Sequence, residues 1–358
     1  MKINWWRTSL GDEEKEAIVK AITDKRIGMG PITHELEKEI SKSLNVPYTV
    51  VTPSGSVALF MALLANDIGY GDEVIIPNRT FIATAHAALL THAKVVLVDT
   101  EADKPIIDVK QIRSKITKRT KAIIPVHLNG RAVNMDEIKR IADEYNIVLI
   151  EDACQALFST NGKSLLGTLS DIGCFSLGLA KLITTGYGGF AVCKDKHLYE
   201  KLVKIRNHGI LNNEQTSYDS LGFNFKFSDM LSAIGIIQLS KAKEKIDHLK
   251  RIYVQYTTAI EKLSYLNIIP VNCEHGEIPL YIEVYSSIRE KVLDYLTKNS
   301  IEYHLLPPCL HLSPHIKSTG LFPNSEKFDA QAFILPCGPT QPVENVNHVI
   351  GVLNNYSP

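Results

Sequence analysis

An α/β fold is what this sequence predicts: a mostly parallel central sheet with helices on both faces, followed by a smaller α+β unit. Three observations predict it. From residue 47 onward, short β-rich runs alternate with helical patterns at the spacing of strand–helix–strand units. The strand candidates are nearly continuous apolar runs, as strands covered on both faces must be. At 358 residues the chain also exceeds one typical core, so a second unit is expected. We place the large unit at 1–245 and the small one at 246–358.

The elements follow in order. Strands are expected at YTVV (48–51), EVIIP (73–77), KVVLVD (94–99), AIIPV (122–126) and IVLIED (147–152). Helical patterns lie between them at 56–66, 80–90, 108–116 and 134–145. Residues 209–229 show little periodicity and many turn formers, which predicts a long functional loop. One long helical pattern then runs from about Ser228 to Leu263. The remainder mixes short strands (LNIIP, IPLYIEVY), a helix (SSIREKVLDYLTKN) and a Pro/His-rich stretch, LLPPCLHLSPH.

Bulk properties exclude several classes. Lys+Arg and Asp+Glu both number 39, so no electrostatic footprint for nucleic acid or an anionic membrane is present. The first residues do not read as a signal peptide, and no apolar run reaches the roughly 18 residues of a membrane span. The six cysteines are scattered without a C-x-x-C pair, which predicts reduced thiols in a cytoplasmic protein.

The chemistry concentrates in DIGCFSLGLAKLITTGYGGFAVC, Asp171 to Cys193. Lys181 sits there in an almost uncharged, small-residue segment, where burial without compensation would be costly. Either it escapes to solvent or its amine serves as a nucleophile. Asp152 ends an apolar strand and needs a cationic partner. A protonated ring nitrogen would serve, as in pyridoxal phosphate held by a lysine and paired with an aspartate. The turn TPSGS (52–56) offers a phosphate cradle, because Gly55 and Ser56 open a helix whose free N–H groups favour an anion. Ser176 lies close in sequence to Lys181, and Phe81 could cover a ring. Each residue alone has a plainer reading: a solvated lysine, an N-cap aspartate or serine, a core phenylalanine.

Six stretches occur in a fixed order: SGSVALFMAL, GDEVIIPNRTFIATAHA, EDACQAL, FSLGLAK-LITTGYGG, RNHG and GFNFKFSDMLSAIGIIQL. Together they resemble the DegT/DnrJ/EryC1/StrS aminotransferases, a fold-type-I group of pyridoxal-phosphate enzymes. The likeness runs from about Leu10, through GMGP at 28–31, to about residue 245, and more weakly beyond. It implies that Lys181 is the Schiff-base lysine and that Asp152 salt-bridges the pyridinium nitrogen. By the same resemblance Gln155 bonds the phenolic oxygen, Ser176 with Gly55 and Ser56 holds the phosphate, and Phe81 stacks on the ring. Asn224 would reach the phosphate from a neighbouring subunit, implying a homodimer with shared active sites.

Three positions depart from the family pattern. Tyr187 replaces the usual acid of a GEGG turn, Lys226 replaces the arginine of NYRM, and Leu177–Ala180 lacks the expected aromatic and proline. None belongs to the cofactor set; all bear on the acceptor. The resemblance implies transfer of an amino group from L-glutamate to the keto group of a phosphorylated carbohydrate. A nucleotide-linked keto-deoxysugar for surface polysaccharide is the first expectation, and a small ketone such as dihydroxyacetone phosphate the alternative. A dehydratase would carry histidine in place of Lys181, and a sensor would lose Lys181 or Asp152. His127 reads as a packed, hydrogen-bonded histidine. No metal is expected at His304, His311 and His315, which lack partners at ligand spacing, and NGKS (161–164) lacks the rest of a nucleotide loop. Trp5, Trp6 and Arg7 could line a substrate mouth or simply pack.

Overall fold

A computed structural model of the chain describes residues 2–212, 214–316 and 318–357. Its main sheet has seven strands: β1 (Tyr48–Thr52), β2 (Glu73–Pro77), β3 (Lys94–Val98), β4 (Thr120–Ile123), β5 (Val148–Asp152), β6 (Ile172–Ser176) and β7 (Gly189–Cys193). They lie in the order β1-β7-β6-β5-β4-β2-β3. Only β7 runs against its neighbours, so the sheet is mostly parallel. A second, antiparallel sheet has the order β10-β11-β9-β8, from β8 (Asn267–Ile268), β9 (Ile282–Tyr285), β10 (His304–Leu305) and β11 (Ala332–Leu335).

The helices preceding the second sheet are α1 (Asp12–Thr23), α2 (Pro31–Leu44), α3 (Gly55–Ala65), α4 (Ala83–Leu90), α5 (Val109–Ile112), α6 (Met135–Tyr145), α7 (Lys196–Arg206), α8 (Asp229–Ser240) and α9 (Ala242–Ile260). Three more, α10 (Arg289–Lys298), α11 (Pro323–Gln331) and α12 (Val343–Asn354), accompany the small sheet. No described helix is long and apolar enough to cross a membrane.

Successive strand residues bury on opposite faces, as the two-residue period of a strand requires. Val74 and Ile76 pack with α3, α4 and α7, whereas Ile75 faces the layer of α5 and α6. Around β1, β6 and β7 that second layer is supplied by α2 and α9, beneath the stacked rings of Phe175 and Phe190. Each fully buried aliphatic side chain contributes about 1.5–3 kcal/mol. Both faces are therefore covered, as the continuous apolar strands require.

Two boundaries differ from the periodicity, each for a physical reason. The run AIIPV yields β4 only to Ile123, because Pro125 has no N–H to donate to a ladder. Its carbonyl instead accepts the Asp152 N–H at 2.9 Å. The long pattern beginning at Ser228 divides at Lys241 into α8 and α9. The break has no proline or glycine to announce it. Lys241 turns its amine onto Glu13 and Glu14 of α1 at 2.6 and 3.0 Å.

Glu14 is buried at this junction and accepts from Gly11 N–H (2.7 Å), Gln238 Nε2 (2.8 Å) and Lys241 Nζ (3.0 Å). Burial alone would raise its pKa; these donors outweigh it and hold the carboxyl at about 2. A pKa below its unfolded value means the contribution is complete above about pH 4.5 and lost as pH falls toward 2. Wild-type protein is expected to lose thermal stability across that window. Glu14→Gln should be less stable at pH 7 and flatter below pH 4.5, as followed by Tm against pH; an unchanged acid limb would refute the assignment.

Candidate active site

The C-terminal ends of β1, β5 and β6 point the same way and deliver the candidate residues to one edge of the sheet, where ligands of open α/β sheets bind. Asp152, the last residue of β5, is 5% exposed. Thr84 Oγ1, in the first turn of α4, donates to its Oδ2 at 2.8 Å, and the Cys154 N–H donates to Oδ1 at 3.1 Å. Neither bond brings a countercharge, so the carboxylate is set for a cation supplied from outside the chain. Thr84 lies within the quoted TFIATAHA stretch, but its role was not readable there. Its threonine identity matters only because the fold turns α4 onto β5.

Lys181 occupies the connection from β6 to β7, which folds back on itself rather than hanging free. The Leu177 N–H donates to Gly188 O at 2.8 Å, and the Thr185 N–H to Leu177 O at 3.0 Å. A methyl placed on Gly178 would lie 3.3 Å from Ser176 Oγ and 3.9 Å from Lys181 Cγ, which puts hydroxyl and lysine stem around one point. The Cys154 thiol is pushed well above its usual range by burial; Asp152 adds to the shift and Lys181 opposes it. Burial therefore favours the neutral thiol of this cysteine.

The phosphate cradle can be tested on the backbone. A Cβ on Gly55 would stand 2.7 Å from Cys154 Sγ and 3.1 Å from Ser176 Cβ, so only glycine lets α3 start this close to the ends of β5 and β6. Ser54 caps the helix by accepting the Val57 N–H at 3.2 Å. Among the described residues, the N–H groups of Gly55 and Ser56 find no acceptor in the chain. Two free donors, a helix of 11 residues behind them and the Ser176 hydroxyl beside them suit a phosphate. Phe81 is 56% exposed in the turn after β2, an apolar face open to a flat ring. Gln155 accepts the Asn129 N–H on Oε1 at 2.8 Å, which leaves its NH₂ free to donate to an oxyanion. The residues therefore fit pyridoxal phosphate.

Asn224 is not gathered with these residues. It is exposed and pairs with Asn207 at the end of α7. Tyr187 and Lys226 are also exposed. Three aromatic side chains, Trp5, Trp6 and Tyr281, cluster beside the lysine loop. Trp5 stacks on His304 with centroids 4.4 Å apart, and both tryptophans flank the ring of Tyr281. Tyr281 was missed by sequence reading, since it lies 100 residues from Lys181 in an ordinary strand pattern. A cavity of about 630 Å³ opens beside Phe81, with Arg289, His304 and Asp329 among its walls.

Other histidines serve structure. His127 is fully buried, with Nε2 at 2.9 Å from Glu151, whose carboxylate also accepts the N–H groups of Gly167, Leu169 and Ser170. This is the packed histidine expected. His304, His311 and His315 do not converge: the second bonds Asn78 and the third His86.

The profile of the DegT/DnrJ/EryC1/StrS aminotransferase family matches residues 8–354. The chain is 34% identical to a GDP-perosamine synthase of Escherichia coli O157:H7 over 72% of this chain and 71% of the relative. It is 39% identical to a UDP-N-acetyl-3-dehydro-alpha-D-glucosamine 3-aminotransferase of Acidithiobacillus ferrooxidans, over 63% of this chain and 61% of that one. The crystal structure of S. venezuelae DesV in complex with a ketimine intermediate superposes with a TM-score of 0.94 at 26% identity, each chain covered 100%.

Proposed function

Since the chain belongs to the DegT/DnrJ/EryC1/StrS aminotransferase family and is a pyridoxal-phosphate-dependent aminotransferase, we propose that it moves an amino group from L-glutamate onto a nucleotide-linked keto-deoxysugar. The names of its relatives support an acceptor of that kind. The observation that carries the reading is the cavity of about 630 Å³ beside Phe81. It falls in the range of about 300–1,000 Å³ typical of small-molecule sites. Arg289 on its wall is already paired with Glu290 at 2.9 Å and donates to the Asp329 carbonyl.

When bound, the cofactor supplies an electron sink for the Cα–H bond of the donor. The rest is the work of this chain. Gly55, Ser56 and Ser176 would hold the phosphate. Asp152, oriented by Thr84 and Cys154, would keep a proton on the ring nitrogen. Gln155 would donate its NH₂ to the phenolic oxygen, and Phe81 would cover the ring. Lys181 Nζ is the base that takes the donor's Cα proton and the acid that returns it on the acceptor side.

We assign Asn224 to the site of a second copy. The exposed side chains of Leu90, Leu221 and Phe223 lie around its segment, apolar surface that a second copy would cover. All six cysteines are free, which supports action in the reducing cytoplasm. A sedimentation mass of one chain would remove Asn224 from the site. The reaction is tested by following the absorbance of the bound cofactor as L-glutamate is added, then offering keto-sugar nucleotides and dihydroxyacetone phosphate. We expect bleaching by glutamate and recovery with the keto-sugar nucleotide. Recovery only with the triose phosphate would overturn the acceptor, and no bleaching with any amino acid would overturn the donor chemistry.

A further inference from the structure

Two buried polar residues outside the cofactor set tie the two sheets together at the lysine. Asn129 follows β4, is fully buried and holds a left-handed backbone with φ 55. Its side-chain amide grips a single residue of the small sheet: Nδ2 donates to Tyr281 O at 3.0 Å, and Oδ1 accepts the Tyr281 N–H at 2.6 Å. Its own N–H donates to Gln155 Oε1 at 2.8 Å. The next residue, Gly130, has φ +77, and a Cβ there would lie 2.0 Å from Ile278 O, so the segment before β9 is pressed onto this turn.

The Tyr281 ring is thereby delivered to the loop between β6 and β7. Its hydroxyl donates to Ala180 O at 2.8 Å, the carbonyl immediately before Lys181. A phenol has one proton to give, so its lone pairs remain for the Lys181 side. Burial raises the Tyr281 pKa and the nearby Lys181 amine opposes that rise, which places the amine within electrostatic reach. Trp5 and Trp6 pack against the ring at 6.4 and 5.5 Å between centroids and prevent it from swinging away.

We infer that Tyr281 is a positioning residue for Lys181, and that Asn129 fixes its distance from Gln155 so that amine and cofactor-side amide move as one body. This rests on the reading that Lys181 carries the reaction. The test is Tyr281→Phe in the cofactor-loaded enzyme, read by kcat and donor KM, by Tm, and by the visible circular dichroism of the bound cofactor. Loss of the hydroxyl should lower kcat about tenfold, with KM within about twofold. Tm should be nearly unchanged and the dichroic band altered, because the cofactor's geometry against Lys181 changes. Asn129→Gly, which tolerates the left-handed backbone, should reproduce the loss of kcat and the altered band with a lower Tm, because the Tyr281 N–H and carbonyl lose buried partners, and the double variant should fall short of the summed losses in kcat. Wild-type kcat and dichroism in Tyr281→Phe would overturn the inference. So would a parallel fall of Tm and kcat with an unaltered band. Lys181→Ala separates the failures: normal turnover there defeats the underlying reading rather than Tyr281.

Discussion

Lys181→Ala is expected to abolish transamination, with turnover reduced by roughly 10⁴-fold or more, because the proposed mechanism makes one residue both covalent anchor and proton carrier. The size follows from the absence of a substitute. Cys154, the other nucleophile near Asp152, is held as a neutral thiol by burial. Borohydride treatment provides a second readout: the wild type should gain the reduced cofactor on the peptide containing Lys181, and the variant should gain none. Near-normal turnover by Lys181→Ala in a coupled assay would sink the assignment of the whole site. The fold should survive, since Lys181 is only partly buried and forms no ion pair within the described residues.

Asp152→Asn is expected to be the next most damaging change. The carboxylate is 5% exposed, and its two donors, Thr84 and the Cys154 N–H, orient it without neutralising it. Removing one member of a buried ion pair costs about 3–5 kcal/mol; if that loss falls on the transition state, at 1.36 kcal/mol per decade it is roughly two to nearly four powers of ten in kcat. Asparagine still offers an oxygen to Thr84, so Tm should change little. Cofactor should remain covalently held, because the lysine is intact. The check is kcat for the glutamate half-reaction alongside the cofactor content of the purified variant. A kcat within about threefold of wild type would mean that the ring nitrogen's proton is held by something else.

These two residues were legible in the chain because their chemistry is anomalous where they stand: an acid ending an apolar strand and a lysine in a small-residue loop. Gly55 and Ser56 were legible for a similar reason, since a Gly-Ser step opening an apolar helix announces free N–H groups. Thr84, Asn129 and Tyr281 look ordinary in sequence. Thr84 is one threonine among several near the start of α4, and Tyr281 continues a strand pattern. Their roles arise from contacts across 68, 26 and 101 residues, respectively to Asp152, Gln155 and Ala180. The split at Lys241 was invisible for a related reason, because its cause is the pair of carboxylates on α1 rather than a breaker in its own segment.

By itself the sequence determined the layered α/β architecture, through apolar periodicity, and pointed to the cofactor chemistry, through residue types that are costly without a ligand and six ordered motifs that resemble one aminotransferase family. Those are local properties: a strand's face or a buried charge announces itself within a few residues. Tertiary structure alone decided what supports the chemistry. Only when β7 inserts antiparallel between β1 and β6 does the lysine loop close on itself, and only when the small sheet docks on Asn129 does Tyr281 reach the residue before Lys181. A hydrogen bond requires its partners about 3 Å apart and aligned, and no pattern along one chain encodes that distance before the chain has folded.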